Sequence, residues 1–120
     1  MCFLGPERCL IAGLLLLCFP AISGAADTAK LTARGKTILQ EKCGRCHAVE
    51  VVGESPLKIA PPMRDIYARF APRELQAELL EGKVSRHKEM PQIEFSQEDV
   101  DAILAYLYAL AVGKTDRRTR

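Results

Sequence analysis

The stretch Cys43-Gly44-Arg45-Cys46-His47 is the most informative part of this 120-residue sequence. Its two cysteines stand three positions apart, and a histidine follows the second one directly. Residues so close in sequence can present two thiols and an imidazole to a single bound group. The spacing is therefore typical of a chemical site rather than of a packed core.

Three kinds of site use such a pattern. A redox-active dithiol is expected between a strand and a helix, whereas these cysteines follow a predicted helix. A zinc site needs a second pair of ligands, and His87 is the only other histidine. Haem attachment needs only the residues present, because two thiols bond to the porphyrin vinyl groups and His47 binds the iron. The motif therefore predicts one haem c, bound covalently through Cys43 and Cys46.

The amino-terminal region is predicted to be a secretory signal peptide. Residues 9–22 carry no charge and are mostly apolar, and a run of small residues follows them. The apolar stretch is shorter than the ~20 residues of a membrane-spanning helix. Cleavage after Ala26 would leave two of the five cysteines, Cys43 and Cys46. We therefore expect export to the periplasm, with a signal peptide at 1–26, one domain at 27–113 and a basic flexible tail at 114–120.

The composition excludes some classes of partner. Lys and Arg number 17 against 15 Asp and Glu, so a net charge of +2 argues against a nucleic-acid-binding protein. Aromatic residues make up only 6% of the chain, and there is no Trp. A buried porphyrin would supply the large apolar surface that such a small chain otherwise lacks.

Apolar spacing predicts helices at both ends of the domain. The first covers Asp27 to Lys42, with Asp27 or Thr28 as its N-cap and Gly35 on its apolar face. In the last, Ser96 and Asp99 form a capping box before the apolar positions that begin at Val100. Gly113 is predicted to end this helix.

Two shorter helices are predicted between them, and no strand-like alternation occurs. One covers Asp65 to Phe70. The other begins at Pro72, turns Leu75, Leu79 and Leu80 inward, and ends at Gly82.

Three residues could occupy the sixth position of the iron. Met90 is preferred, because it lies in a non-helical loop and Pro91 restrains the backbone beside it. Met63 is expected to pack as an apolar side chain against the ring. His87, among charged neighbours, is expected to be a solvated surface residue. We therefore predict His47 and Met90 as the iron ligands.

The chain from the first helix to Leu110 resembles the small class I c-type cytochromes of bacterial periplasms. The resemblance rests on Gly35, residues 43–47, the segment Ala60-Pro61-Pro62-Met63, the pair Met90-Pro91, and Tyr106 in the last helix. It implies an all-α class I cytochrome c fold, with three to five helices around one covalently bound haem. It also implies that Gly35 meets Tyr106 where the terminal helices cross. Finally, it implies that a carbonyl of Pro61 or Pro62 holds the His47 imidazole.

The expected function is that of a soluble periplasmic one-electron carrier. The protein is expected to be monomeric, and no catalytic residue is predicted. Two alternatives stay open: a small haem subunit docked on a periplasmic dehydrogenase or oxidase, and a haem sensor with a labile sixth ligand. The predicted partners are redox proteins with acidic docking surfaces, and membrane contact is expected only through redox complexes or an uncleaved leader. A basic rim around the haem edge would attract such partners, although nearby glutamates make an ordinary solvated surface an almost equal interpretation. The residues of that rim are Lys42, Arg45, Lys83, Arg86 and Lys88.

Overall fold

The computed structural model describes residues 24–82 and 90–118. Within them lie four helices: α1 (Gly24–Lys42), α2 (Met63–Ile66), α3 (Pro72–Leu80) and α4 (Gln97–Arg118). These two ranges contain no strand, and the predicted all-α class is confirmed. The first three helices all pack against α4, which is therefore the common support of the fold.

The crossing of α1 and α4 depends on the absence of a side chain at Gly35. A Cβ atom there would lie 1.9 Å from the carbonyl oxygen of Ala102 and 3.0 Å from the Cβ atom of Tyr106. Glycine is poor in a helix interior, so its presence here reflects the close approach of the two backbones. The expected meeting of Gly35 and Tyr106 is confirmed.

The predicted N-cap of α1 is wrong. The helix already begins at Gly24, and Asp27 lies in its first turn. The Thr28 hydroxyl donates a hydrogen bond to the Gly24 carbonyl within the helix (2.8 Å), because a threonine side chain can bond back to the preceding turn.

The short helix α2 begins two residues earlier than predicted and does not reach Phe70. Pro62 takes an extended conformation (φ −59°, ψ 144°), and the helix starts immediately after it. The Met63 amide bonds outside the helix, to the Ala48 carbonyl at 2.9 Å. The start of α2 is thus set by a long-range bond that local sequence does not reveal.

The helix α3 begins at Pro72 as predicted, and Gly82 follows it with a positive φ of 66°. Leu75 and Leu79 are buried, but Leu80 is 38% exposed, so its predicted inward orientation is wrong. One further residue turns the side chain about 100° around the helix axis, away from the face that Leu75 and Leu79 share.

The N-terminus of α4 follows the predicted capping box. The Ser96 hydroxyl accepts a bond from the Asp99 amide at 3.2 Å. The predicted end at Gly113 is wrong, because the helix continues to Arg118 and so includes most of the segment expected to be flexible. Glycine ends a helix when it takes a positive φ, and within the described residues only Gly53 and Gly82 do so.

The core is aliphatic apart from one phenol. Tyr106 is the buried aromatic residue of the core. Three partly buried aromatic residues pack against the core, namely Tyr67, Phe70 and Phe95. The largest fully buried side chains are those of Leu75, Val100, Ile103, Leu107 and Leu110. Within residues 24–82 and 90–118, no helix combines the length and hydrophobicity needed to cross a membrane.

Candidate haem attachment site

The cysteine motif begins where α1 ends. The Cys43 amide still donates to the Leu39 carbonyl at 2.9 Å, so Cys43 continues the last helical turn. The amides of Cys46 (3.1 Å) and His47 (3.0 Å) then both donate to the Cys43 carbonyl. This tight turn brings the two thiols and the imidazole of the motif into one small region.

The two cysteines are free and partly exposed, and they do not form a disulfide. Burial, and to a smaller extent the neighbouring Cys46, raises the pKa of the Cys43 thiol to about 11. Redox-active dithiols instead use a thiolate whose pKa is lowered. The environment of Cys43 therefore argues against a dithiol oxidoreductase.

The buried imidazole of His47 is held in one orientation. Its Nδ1 atom lies 2.7 Å from the carbonyl oxygen of Pro61. Because a carbonyl oxygen only accepts, Nδ1 donates in this contact, and Nε2 is the ring nitrogen that could bind a metal. This is the arrangement that a metal-binding histidine requires, and the residues present fit an iron ligand at this position.

The sequence did not decide whether Pro61 or Pro62 holds the His47 imidazole, and in the structure Pro61 makes this contact. Pro62 instead directs the chain into α2. Met63 is 3% exposed and belongs to the same hydrophobic core as Leu75 and Leu79.

The preferred sixth ligand, Met90, lies at the start of the second described range. It is half-buried and is followed by the exposed Pro91. His87 and three residues of the predicted basic rim, Lys83, Arg86 and Lys88, lie outside the described residues. Lys42 and Arg45, also assigned to the rim, are exposed.

Several bonds that hold the loop after His47 were not predicted. The Ser55 hydroxyl accepts from the Ala48 amide at 3.0 Å. Arg64 donates to the carbonyls of Gly53 (2.8 Å) and Glu50 (3.3 Å). No local pattern marks these residues, since Ser55 stands in an ordinary turn-forming stretch and Arg64 in a short helix.

The phenol of Tyr106 connects α4 to the same loop. Its hydroxyl donates to the Val49 carbonyl at 3.1 Å. Burial is the main cause that raises the pKa of Tyr106, which keeps the hydroxyl protonated as a donor. The helix crossing and the His47 loop are thereby joined through one side chain.

The donor set differs from that of a zinc site. Among residues 24–82 and 90–118, no group of three or more His, Cys, Asp or Glu side chains could hold a metal ion. A buried imidazole beside two free thiols instead fits covalent haem attachment, in which the imidazole would bind the iron and the thiols would bond to the porphyrin.

Comparison with known proteins identifies the family. The family model described as cytochrome c oxidase, cbb3-type, subunit III matches residues 30–107, well over half of the chain. The chain belongs to this family and contains a cytochrome c domain that carries covalently bound haem c and transfers electrons. Its partners are accordingly redox proteins or a redox complex. No curated protein and no solved structure shows significant similarity to it.

Proposed function

We propose that this chain is a soluble periplasmic one-electron carrier whose haem iron is bound by His47 and Met90. The contact between His47 Nδ1 and Pro61 O is the observation that carries the proposal, because it leaves Nε2 as the ligand atom. The bound haem supplies a metal centre that changes its charge by one electron. His47 and Met90 would together hold the iron, which would suit electron transfer and disfavour substrate binding.

The chain's own residues keep the site ready for that change. The Pro61 carbonyl accepts a hydrogen bond from Nδ1–H and so makes the imidazole more electron-rich. Met63 is buried in the core and supplies apolar surface there. Pro91 restrains the backbone beside Met90. A site held in this way needs little rearrangement when the iron is oxidised or reduced.

The visible spectrum of the oxidised holoprotein tests the ligands. The wild type is expected to show the weak far-red band of a methionine sulfur bound to ferric haem, and Met90→Ala is expected to lack it. The matched control is Met63→Leu, which keeps an apolar side chain in the core and is expected to retain the band. A wild type without the band would refute Met90 ligation and favour a sensor with a labile sixth ligand.

The exposed Lys42 and Arg45 support a docking edge for acidic redox partners. This part of the proposal requires the electron-transfer rate to fall as salt is added, because salt screens exposed charges. A rate independent of ionic strength would contradict it.

The second candidate function is a small haem subunit of a larger redox enzyme. It is favoured by the matched family, whose description names an oxidase subunit. Tyr108 and Val112, one turn apart on α4, are 58% and 50% exposed and could contribute to such an interface. Gel filtration of a native extract separates the candidates, since co-elution with a large enzyme would reject the free carrier.

A further inference from the structure

Two side chains outside the cysteine motif close the loop that follows His47. Ser55 is 8% exposed, and its hydroxyl accepts the Ala48 amide at 3.0 Å. Arg64, from α2, donates to the Gly53 carbonyl at 2.8 Å and to the Glu50 carbonyl at 3.3 Å. The two side chains therefore hold backbone groups at three places in the loop: Ser55 holds Ala48, and Arg64 holds Glu50 and Gly53.

These contacts act on the same two segments that the imidazole connects. Ala48 directly follows His47, and its carbonyl accepts the Met63 amide at 2.9 Å. Pro61, which accepts from the imidazole, stands two residues before Met63. Both backbone groups of Ala48 are thus bonded, one to Ser55 and one to Met63. A shift of Ala48 would move His47 relative to the Pro61 carbonyl.

We propose that Ser55 and Arg64 are positioning residues for His47: they hold the loop against α2 and thereby keep the Pro61 carbonyl on the imidazole. The inference rests on His47 as an iron ligand, as in the proposed function. It does not depend on which residue is the sixth ligand.

The proposal gives a direction for the reduction potential. Donation from Nδ1 to a carbonyl makes the imidazole a stronger electron donor and favours the ferric state. Loosening the loop lengthens that hydrogen bond and so raises the potential. A residue that only stabilised the loop would change the unfolding free energy and leave the potential unchanged.

The test compares Ser55→Ala with Ser55→Thr, which keeps a hydroxyl, and Arg64→Gln with Lys58→Gln. Lys58 is an exposed residue paired with Glu54, so its substitution removes the same charge without touching the loop carbonyls. The holoproteins are compared by redox titration and by the NMR signal of the His47 Nδ1 proton in the ferric cyanide-bound form. That form has the same sixth ligand in every variant.

Ser55→Ala and Arg64→Gln are expected to raise the potential, shift the Nδ1 signal and accelerate exchange of its proton. Amide exchange around Ala48, measured by mass spectrometry, is expected to be about tenfold faster in Ser55→Ala, because a buried donor loses its partner. Ser55→Thr and Lys58→Gln are expected to match the wild type.

Faster amide exchange with an unchanged potential and Nδ1 signal would overturn the proposal. If the Ser55 variants fail to fold, Arg64→Gln against Lys58→Gln decides it by the same criteria. If Met90 is not the sixth ligand, the wild type will lack the far-red band. The comparison of the cyanide-bound forms would still test the roles of Ser55 and Arg64.

Discussion

Residues 43–64 and residues 90–96 contain the two proposed iron ligands, but the protein holds these segments differently. In the first, His47, Ala48 and Met63 are joined to neighbouring residues by bonds of 2.7 to 3.0 Å. In residues 90–96, the hydrogen bonds among the described residues are formed by Ser96, at the carboxyl end of the segment. The chain itself therefore positions the histidine, whereas the methionine is expected to depend on the bond to iron.

The difference assigns separate tasks to the two sides. The imidazole side is built into the fold through Tyr106, which links α4 to the Val49 carbonyl. Among the described residues, the methionine side forms its hydrogen bonds where α4 begins. Three substitutions probe this contrast, from the largest expected effect to the smallest.

The first substitution separates the helices that support the imidazole side. In Gly35→Ala the new Cβ would meet the Ala102 carbonyl oxygen at 1.9 Å, so α1 and α4 must move apart. We expect the free energy of unfolding to fall by about 3 kcal/mol, at the upper end for overpacked sites, in denaturant titrations of the holoprotein.

The matched control for Gly35→Ala is Gly113→Ala on α4. Its new Cβ would meet Val51 at an ordinary 3.9 Å, and alanine favours helix. This variant is expected to be as stable as the wild type or slightly more stable. Equal losses in both variants would contradict the close crossing at Gly35.

The second substitution removes one bond between the crossing and the His47 loop. Tyr106→Phe leaves the Val49 carbonyl without its donor, at a cost of about 1 to 2 kcal/mol in unfolding free energy. Tyr108→Phe is the control, because that exposed ring can keep its edge contact with Tyr67. An equal loss of unfolding free energy in both variants would contradict the proposed link between Tyr106 and the His47 loop.

The third substitution concerns the far end of the methionine segment. The Ser96 hydroxyl, and after it Arg34, lowers the pKa of Asp99 below its ordinary value of 3.8. Because the folded-state pKa is the lower one, this stabilisation is present above the unfolded pKa and is lost as the pH falls through the folded pKa. On acidification below about pH 4, Asp99→Asn should therefore lose less unfolding free energy than the wild type. The difference should be less than about 1 kcal/mol.

Asp101→Asn provides the control in acid-unfolding titrations. Asp101 accepts a bond from Gln97 instead and lies outside the contacts of Ser96 and Arg34. A wild-type acid profile in Asp99→Asn would contradict the assignment.

The fold was predictable where its signals are local. The capping box at Ser96 and the start of α3 at Pro72 depend on residues within one turn, and both are confirmed. The start of α2 depends on Ala48, fifteen residues away in sequence, and was placed incorrectly. Gly113 shows that a glycine signals a helix end only when the backbone there takes a positive φ.

The residues of the site likewise fall into those that local sequence predicts and those that it does not. The motif at residues 43–47 is contiguous and predicts haem c, which the family assignment supports. Ser55 and Arg64 act through backbone groups that the fold brings together, so their types and spacing carry no signal. The bond from Tyr106 to Val49 spans 57 residues and is equally invisible in the sequence.

Displacing Met90 with imidazole in the ferric holoprotein tests the contrast between the two segments most directly. Hydrogen exchange, resolved by peptide mass spectrometry, would be compared before and after the far-red band disappears. The account predicts faster exchange in residues 90–96 and unchanged exchange in residues 47–64. Equal acceleration in both segments, or none in residues 90–96, would contradict it.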